Sequence, residues 1–288
     1  MTIARLTNAI LRRAGLEVHR ISSPDPKPPV PRLFDHPLEA FYFQTGRGGT
    51  LAAFRCPIEK IVKDNGFRYP PYGYEPSALT MIEYLRDGCR EYSGSYIERH
   101  QQWRAANVRN AADNLIGVRA APRLEELSKH VAVFPWDTVD ADLRQQQIER
   151  TMKAEYRRHG RPNLDVEAMV PEKGIMQFDR CVKVLHALRT EGYQRAHGDI
   201  HVTLLRRGGD WRFLLSGAGK HRTIAMAALE EVYVPAQFHG IPRIVEPGDV
   251  EYWPQVRRGV WPRASAVDYF HHLFDFDSMA WAGEQALV

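Results

Sequence analysis

The chain has 288 residues, of which 44% are hydrophobic and 10% aromatic, enough for one large packed domain or two ordinary ones. Its formal net charge of +4 falls short of the dense Lys/Arg surface that a dedicated DNA-binding domain carries. No run approaches the roughly eighteen uninterrupted apolar residues of a membrane span, and no secretory signal precedes the body. Three widely separated cysteines, Cys56, Cys89 and Cys181, exclude a disulfide framework and favour the cytoplasm.

The N-terminal segment is basic and amphipathic. Residues 3 to 20 (IARLTNAILRRAGLEVHR) combine apolar positions near helical spacing with four arginines, which predicts a helix. Such a helix either packs on the domain or rests on an anionic bilayer, so contact with the inner face of the membrane stays open. Five prolines within residues 22 to 32 predict an extended linker, and residues 1 to 32 are expected to form a separate N-terminal unit.

The pattern of residues 33 to 160 predicts an α+β, mainly helical region. Aromatic and apolar positions in residues 38 to 57 surround the glycine cluster TGRGG (45 to 49), which predicts two short strands joined by a turn. This turn is also a candidate loop for covering the phosphates of a ligand. Helices are predicted for SALTMIEYLRDG (77 to 88), SYIERHQQWRAAN (95 to 107) and DADLRQQQIERTMKAEYRRHG (140 to 160).

Helix and strand patterns alternate in residues 161 to 288. A helix is predicted for residues 177 to 192, followed by a hairpin of strands 200 to 207 and 210 to 216 around the turn Gly208-Gly209-Asp210. A loop, a helix over residues 220 to 231, a strand over 232 to 238 and a terminal helix over 263 to 276 complete the order. This succession indicates an α+β fold with a small mixed sheet.

The loop in LLSGAGKHRTIAMAALEE (214 to 231) resembles a phosphate-binding loop that runs into a helix. It is not a Walker A loop, because the positions that require glycine and a hydroxyl hold Leu214 and His221. Free amides at the start of the next helix, together with Lys220 and Arg222, nevertheless favour an anion. The predicted phosphate cradle consists of Gly217, Gly219, Lys220, His221, Arg222 and Thr223.

The order of elements from residue 178 to residue 238 resembles the core of the ParB/sulfiredoxin-like superfamily. The likeness is carried by Glu191-Gly192-Tyr193, by Ile200 with Val202, by the strand 211 to 215, by Gly219-Lys220-His221-Arg222 with Ala225, and by Val234-Pro235. This superfamily includes chromosome-partitioning CTPases, a free-serine kinase and sulfiredoxins, which hold nucleotide phosphates at this loop. The resemblance implies a domain of this type with a helical tail over residues 161 to 288, with ATP or CTP as ligand. Phosphoryl transfer usually also uses a divalent cation, here Mg²⁺.

Two departures from the superfamily narrow the expected activity. Sulfiredoxins carry a catalytic cysteine where this chain has Lys220, so reduction of sulfinic acid is disfavoured. Partitioning proteins continue into a helix-turn-helix domain, whereas the sequence after Phe238 is rich in proline and glycine. No specific nucleic acid is therefore expected, although a ParB-like DNA-binding CTPase remains an alternative. Residues 90 to 107 and 253 to 274 resemble bacterial proteins of polysaccharide gene clusters, which suggests a setting in envelope polysaccharide biosynthesis.

Phosphoryl transfer also needs a carboxylate that positions or deprotonates the acceptor hydroxyl. Asp199 lies between His197 and His201 immediately before a predicted strand, so it is a candidate base or magnesium ligand, with either histidine as its partner. The alternative is that this triplet only forms a polar turn into the strand. His221 is a candidate acid/base aid. Further candidates are Glu172, Lys173 and Arg180.

The leading hypothesis from the sequence is a nucleotide-dependent phosphotransferase, kinase-like, that acts on a small hydroxylated or glycan-linked acceptor. A non-catalytic regulator that binds a nucleotide or a sugar phosphate is the principal alternative. The sequence leaves open whether the protein is catalytic.

Overall fold

A computed structural model describes residues 30–46, 51–86, 88–118, 121–167 and 170–288. The predicted basic helix with its membrane contact lies outside these residues, as do positions 47 to 49 of the glycine turn. Pro31–Val288 form one compact unit. Within the described part of the chain, no helix combines the length and the apolar character that crossing a membrane requires.

The helices and strands follow one another along the described chain. They are β1 (Arg32–Phe34), α1 (Pro37–Gly46), β2 (Ala52–Pro57), β3 (Ile61–Val62), α2 (Pro76–Leu85), α3 (Tyr96–Asn107), α4 (Pro122–Glu125), α5 (Ala141–Arg158), α6 (Pro171–Glu191), β4 (Ile200–Arg207), β5 (Asp210–Leu215), α7 (Lys220–Ala228), β6 (Tyr233–Phe238), β7 (Ile244–Val245), α8 (Pro254–Arg257), α9 (Arg263–Asp275) and α10 (Ser278–Glu284).

The strands form one mixed sheet, which confirms the α+β class. Their order is β1-β2-β6-β4-β5-β3, and β7 pairs with β4 beyond the end of β6. β4 and β5 are antiparallel, and Arg207 pairs with Asp210 across the turn, so the predicted hairpin is confirmed. β1 with β2, β4 with β6 and β3 with β5 are parallel, whereas β2 and β6 are antiparallel.

Each face of the sheet is covered by a core. Alternate residues of a strand point to opposite faces, and in β4 Val202 and Leu204 belong to one core while Leu205 belongs to the other. The first core joins the sheet to α2, α6 and α7, whereas the second contains the aromatic residues of α9. β4 is therefore buried on both faces over residues 202 to 205.

One predicted strand is wrong. The first strand expected in residues 38 to 57 is helix α1, and only the second one, β2, is present. Ala40 and Gln44 are the buried residues of α1, and they are four positions apart, as one face of a helix requires. Because Gln44 is polar, the hydrophobic pattern did not reveal this face. Its Oε1 accepts a hydrogen bond from the Ala52 amide at 3.4 Å, which joins the helix to β2.

The three helices predicted between residues 77 and 158 are confirmed, although α2 begins one residue earlier than Ser77 suggested. Pro76 is its first residue, and Glu75 caps it by accepting a hydrogen bond from the Ala78 amide at 2.7 Å. Ser95 caps α3 and Asp140 caps α5 in the predicted manner. The cap of α2 fixes a buried carboxylate beside the principal cavity of the described residues.

Candidate ligand-binding site

A cavity of about 590 Å³ lies where β3 and β5 end. These two strands are parallel, with Val62 beside Leu214, so the chain leaves the sheet at the same edge after each of them. Lys63 and Asp64 follow β3, Ser216 and Gly217 follow β5, and all four residues line the cavity. Ligand sites in sheets with parallel strands commonly form outside the carboxyl ends of the strands.

The walls carry more positive than negative side chains. Further lining comes from the start of α2, from α3, from the loop after α4, from α5 and from the first half of α6. The Lys and Arg residues of the lining are Lys63, Arg104, Lys129, Arg144, Lys173, Arg180 and Lys220. The Asp and Glu residues are Asp64, Glu75, Asp137 and Glu155.

Three of these cations have a carboxylate partner. The pairs are Lys63–Glu75 with 3.0 Å between Nζ and Oε1, Arg144–Asp137 with 3.6 Å between Nη2 and Oδ2, and Arg180–Glu155. Within the described residues the other four cations form no ion pair: Arg104, Lys129, Lys173 and Lys220. The cavity therefore has an excess of unpaired positive charge, which suits an anionic ligand.

Lys220 is the central cation of the predicted cradle. Protein atoms surround it, but the cavity keeps its side chain accessible. The nearby Lys63 ammonium, and after it burial, lowers the pKa of Lys220 to about 8, although Glu75 and Asp64 act in the opposite direction. No described residue accepts a hydrogen bond from the Lys220 ammonium, so it is free to bind a ligand.

The turn before Lys220 depends on glycine. Gly219 has a φ of +107°, and a Cβ placed on it would lie 2.5 Å from Cγ2 of Ile200. The turn therefore sits directly on β4, and helix α7 begins at Lys220 without a side-chain cap among the described residues. An uncapped helix start next to an unpaired ammonium is a favourable place for an anion.

The structure brings only part of the predicted cradle to the cavity. Gly217 and Lys220 line it, whereas Arg222 does not. The Arg222 guanidinium instead donates hydrogen bonds to the carbonyl oxygens of Gly198 and, at 3.4 Å each, of His197 and Asp199. Lys220 and Arg222 thus point to different parts of the molecule.

The remaining hydroxyl and imidazole of the cradle have structural partners. Thr223 is fully buried, and its Oγ1 donates to the carbonyl oxygen of Gly219 at 3.2 Å within the first turn of α7. His221 Nε2 lies 3.0 Å from Oε1 of Gln177, a residue of the cavity wall. Burial, followed by Lys220 and Arg180, lowers the pKa of His221 to about 3. His221 is therefore neutral near pH 7 and touches the cavity only through Gln177.

Asp199 lies outside the cavity, in a buried ion pair. Its carboxylate accepts hydrogen bonds from Arg195 at 3.0 and 2.8 Å and from Nε2 of Gln237 at 3.2 Å. The Asp199 side chain is 0% exposed, and that of Arg195 is 21% exposed. The Arg195 contacts hold together the segment before β4, and the Gln237 contact joins that segment to β6, which is a structural arrangement.

The two histidines next to Asp199 are not in the cavity lining either. His197 is exposed at the end of a short 3₁₀ helix, Arg195–His197. His201 is half-buried in β4, with its ring centroid 5.9 Å from that of His239, and burial followed by Arg222 lowers its pKa.

Two of the three further candidates on α6 reach the cavity. Lys173 lines the cavity and donates to the carbonyl oxygen of Val166 at 2.6 Å, while Arg180 lines it and pairs with Glu155. Glu172 is half-buried in the first turn of α6 and does not line the cavity.

Sequence reasoning missed the residues that follow β3 and those on α3. Lys63, Asp64 and Glu75 come from a stretch that reads as an ordinary turn, VKDNGFRYPPYGYEP. The available signal was the polar run Lys63-Asp64-Asn65 directly after two apolar residues, which is typical of a strand that ends at a polar site. No sequence signal indicated that Arg104 of α3 would face the same cavity.

Among the described residues, no three His, Cys, Asp or Glu side chains are placed to hold a metal ion together. No protein family, curated protein or solved structure matches this chain. The ParB/sulfiredoxin likeness therefore stays a prediction from the sequence. The candidate site rests on the geometry of the cavity alone.

Proposed function

We propose that this protein is a nucleotide-dependent phosphotransferase that binds ATP or CTP in the cavity at the ends of β3 and β5. The observation that carries the proposal is the unpaired Lys220 ammonium, held beside Lys63 at the uncapped start of α7. Two ammonium groups close together are destabilised by mutual repulsion, and phosphate oxygens between them would remove that cost. A cavity of about 590 Å³ is of the size that holds a nucleotide-sized ligand.

Asp64 is the residue that we assign to the transfer step. It lines the cavity and belongs to no ion pair within the described residues, whereas Glu75 is held by Lys63 and by its capping role. The acceptor hydroxyl oxygen would attack the terminal phosphorus, the bond to the leaving diphosphate would break, and Asp64 would take the hydroxyl proton. Lys220 and Lys63 would bind the phosphate oxygens, and Mg²⁺ would arrive bound to the nucleotide.

Nucleotide binding is tested by calorimetry with ATP and with CTP, each with and without MgCl₂. Lys220→Ala removes a charge-assisted contact and is expected to weaken binding roughly 10- to 100-fold. Lys183→Ala, at an exposed position of α6, is the matched control and should bind like the wild type. The proposal fails if neither nucleotide binds, or if Lys220→Ala binds as well as the wild type.

Transfer is tested separately by ³¹P NMR, with water as the default acceptor. Asp64→Asn should keep the nucleotide affinity within a few-fold of wild type while the loss of the terminal phosphate slows by roughly 100-fold or more. An Asp64→Asn variant that turns over at the wild-type rate would contradict the assigned role.

A non-catalytic regulator that binds a nucleotide or a sugar phosphate is the second candidate. It is favoured by the composition of the cavity, whose lining has four cations and one carboxylate that form no ion pair with any described residue. Such a protein would show the same dependence of binding on Lys220, but no turnover in the NMR experiment.

A further inference from the structure

The cavity has a second group of cations besides Lys63 and Lys220. Arg104 comes from α3, Lys129 from the loop after α4 and Lys173 from the first turn of α6, and all three line the cavity. None of the three forms an ion pair within the described residues. Three separate elements thus place positive side chains together with no carboxylate bound to them.

Hydrogen bonds within the protein do not neutralise this group. Arg104 donates to Oδ1 of Asn114 at 3.1 Å and to the carbonyl oxygen of Lys129 at 3.5 Å, while Lys173 donates to a carbonyl oxygen. These partners are neutral. The Arg104 Nε is buried and lacks an acceptor altogether among the described residues.

Burial is the main cause of the lowered pKa values in this group. It lowers the pKa of Lys173 to about 8; Asp165 and Glu167 raise this pKa, and Lys129 and Arg104 lower it by smaller amounts. Burial and the same cations, together with Lys173, lower the pKa of the adjacent His130 to about 4. An anion placed here would reverse the repulsion.

The two groups belong to different helix starts, since Lys220 is the first residue of α7 and Lys173 lies in the first turn of α6. Lys63 is the cation that lowers the pKa of Lys220, whereas burial and, among the cations, Lys129 and Arg104 lower that of Lys173. The start of α6, like that of α7, has no side-chain cap among the described residues, so each cation group adjoins one uncapped helix start.

We infer that Arg104, Lys129 and Lys173 form a second anion subsite that binds a carboxylate or phosphate group of the acceptor. The identification of the ligand as a phosphate acceptor rests on the proposed function, in which Lys220 binds the nucleotide. The existence of the anion subsite rests only on Arg104, Lys129 and Lys173. It makes the acceptor a small molecule with a hydroxyl at one end and an acidic group at the other. A neutral acceptor would leave the three charges unbalanced inside the cavity.

Three probes distinguish the subsites: glycerol, glycerol 3-phosphate and glycerate, each titrated into the full-length protein by calorimetry. We expect glycerol 3-phosphate and glycerate to bind and glycerol not to bind. Lys173→Ala and Lys129→Ala should each weaken the binding of glycerol 3-phosphate at least tenfold and leave the affinity for ATP unchanged within threefold. Lys183→Ala is again the exposed control, and two variants are used so that misfolding of one leaves the test intact.

The outcomes separate this inference from the proposed function. If Lys220→Ala abolishes binding of glycerol 3-phosphate while Lys173→Ala and Lys129→Ala do not, one phosphate site exists and the inference is overturned. The same conclusion follows if Lys173→Ala and Lys129→Ala weaken the binding of ATP as much as the binding of glycerol 3-phosphate. If ATP does not bind but glycerol 3-phosphate binding depends on Lys173 and Lys129, the second subsite stands and the phosphotransferase proposal fails.

Discussion

Substitution of Asp199 by asparagine is expected to destabilise the protein and to leave ligand binding intact. Arg195 holds the carboxylate through two hydrogen bonds of 3.0 and 2.8 Å, and Gln237 adds a third of 3.2 Å. Breaking a buried ion pair by removing one partner costs about 3–5 kcal/mol. Because Arg195 is 21% exposed and water can solvate part of its charge, we expect about 3 kcal/mol for Asp199→Asn.

Urea unfolding followed by tryptophan fluorescence at pH 7 measures this cost. Arg195→Met leaves the buried Asp199 carboxylate without its cation and should lower the free energy of unfolding by more, about 4 kcal/mol. The variant with both substitutions should lose at least about 1 kcal/mol less than the sum of the losses of the two single variants. Asp35→Asn breaks an exposed pair with Arg55 and should change the free energy of unfolding by less than about 0.5 kcal/mol. Wild-type stability of Asp199→Asn combined with loss of phosphate transfer would refute the reasoning and restore Asp199 as a catalytic candidate.

Two further predictions concern the turn and helix that carry Lys220. Gly219→Ala should lower the free energy of unfolding by about 3 kcal/mol, because φ is +107° and the new Cβ would clash with Ile200. Gly208→Ala is the control: φ is +58° and no atom lies near the new Cβ, so the free energy of unfolding should fall by about 1 kcal/mol. Equal losses of stability in urea titrations of the two variants would contradict this. Lowering the pH from 7 to 5 should destabilise the wild type more than His221→Gln by about 2 kcal/mol, because unfolded histidine binds a proton below its ordinary pKa of 6.5 whereas folded His221 does so only near 3. His186→Gln, at an exposed position, is the control, and an unchanged pH dependence in His221→Gln would show that His221 is not the group responsible.

Local signals predicted the helices and the hairpin well. Ser95 and Asp140 begin α3 and α5 as caps, and two glycines close the turn between β4 and β5. α1 was missed because its buried face contains the polar Gln44, which has a partner only once β2 is in place.

The candidate site was predicted less well, for a reason of geometry. A run of polar residues at a helix start does not reveal where each side chain points, and consecutive helical residues diverge by about 100°. Lys220 therefore reaches the cavity while Arg222, two positions later, binds the carbonyl of Gly198. Arg104 and Lys129 are brought to the cavity only by the packing of α3 and the loop after α4, which no local pattern encodes.

Titration of the Lys220 side chain by NMR, through its Cε and Nζ resonances, tests most directly whether an anion completes this site. In the free protein the pKa should be about 8 because of Lys63 and burial. Saturation with ATP should raise it towards that of an ordinary lysine, since negative phosphate oxygens favour the charged ammonium, and binding near pH 8.5 should then take up protons. A Lys220 pKa that is the same with and without saturating ATP would contradict the account.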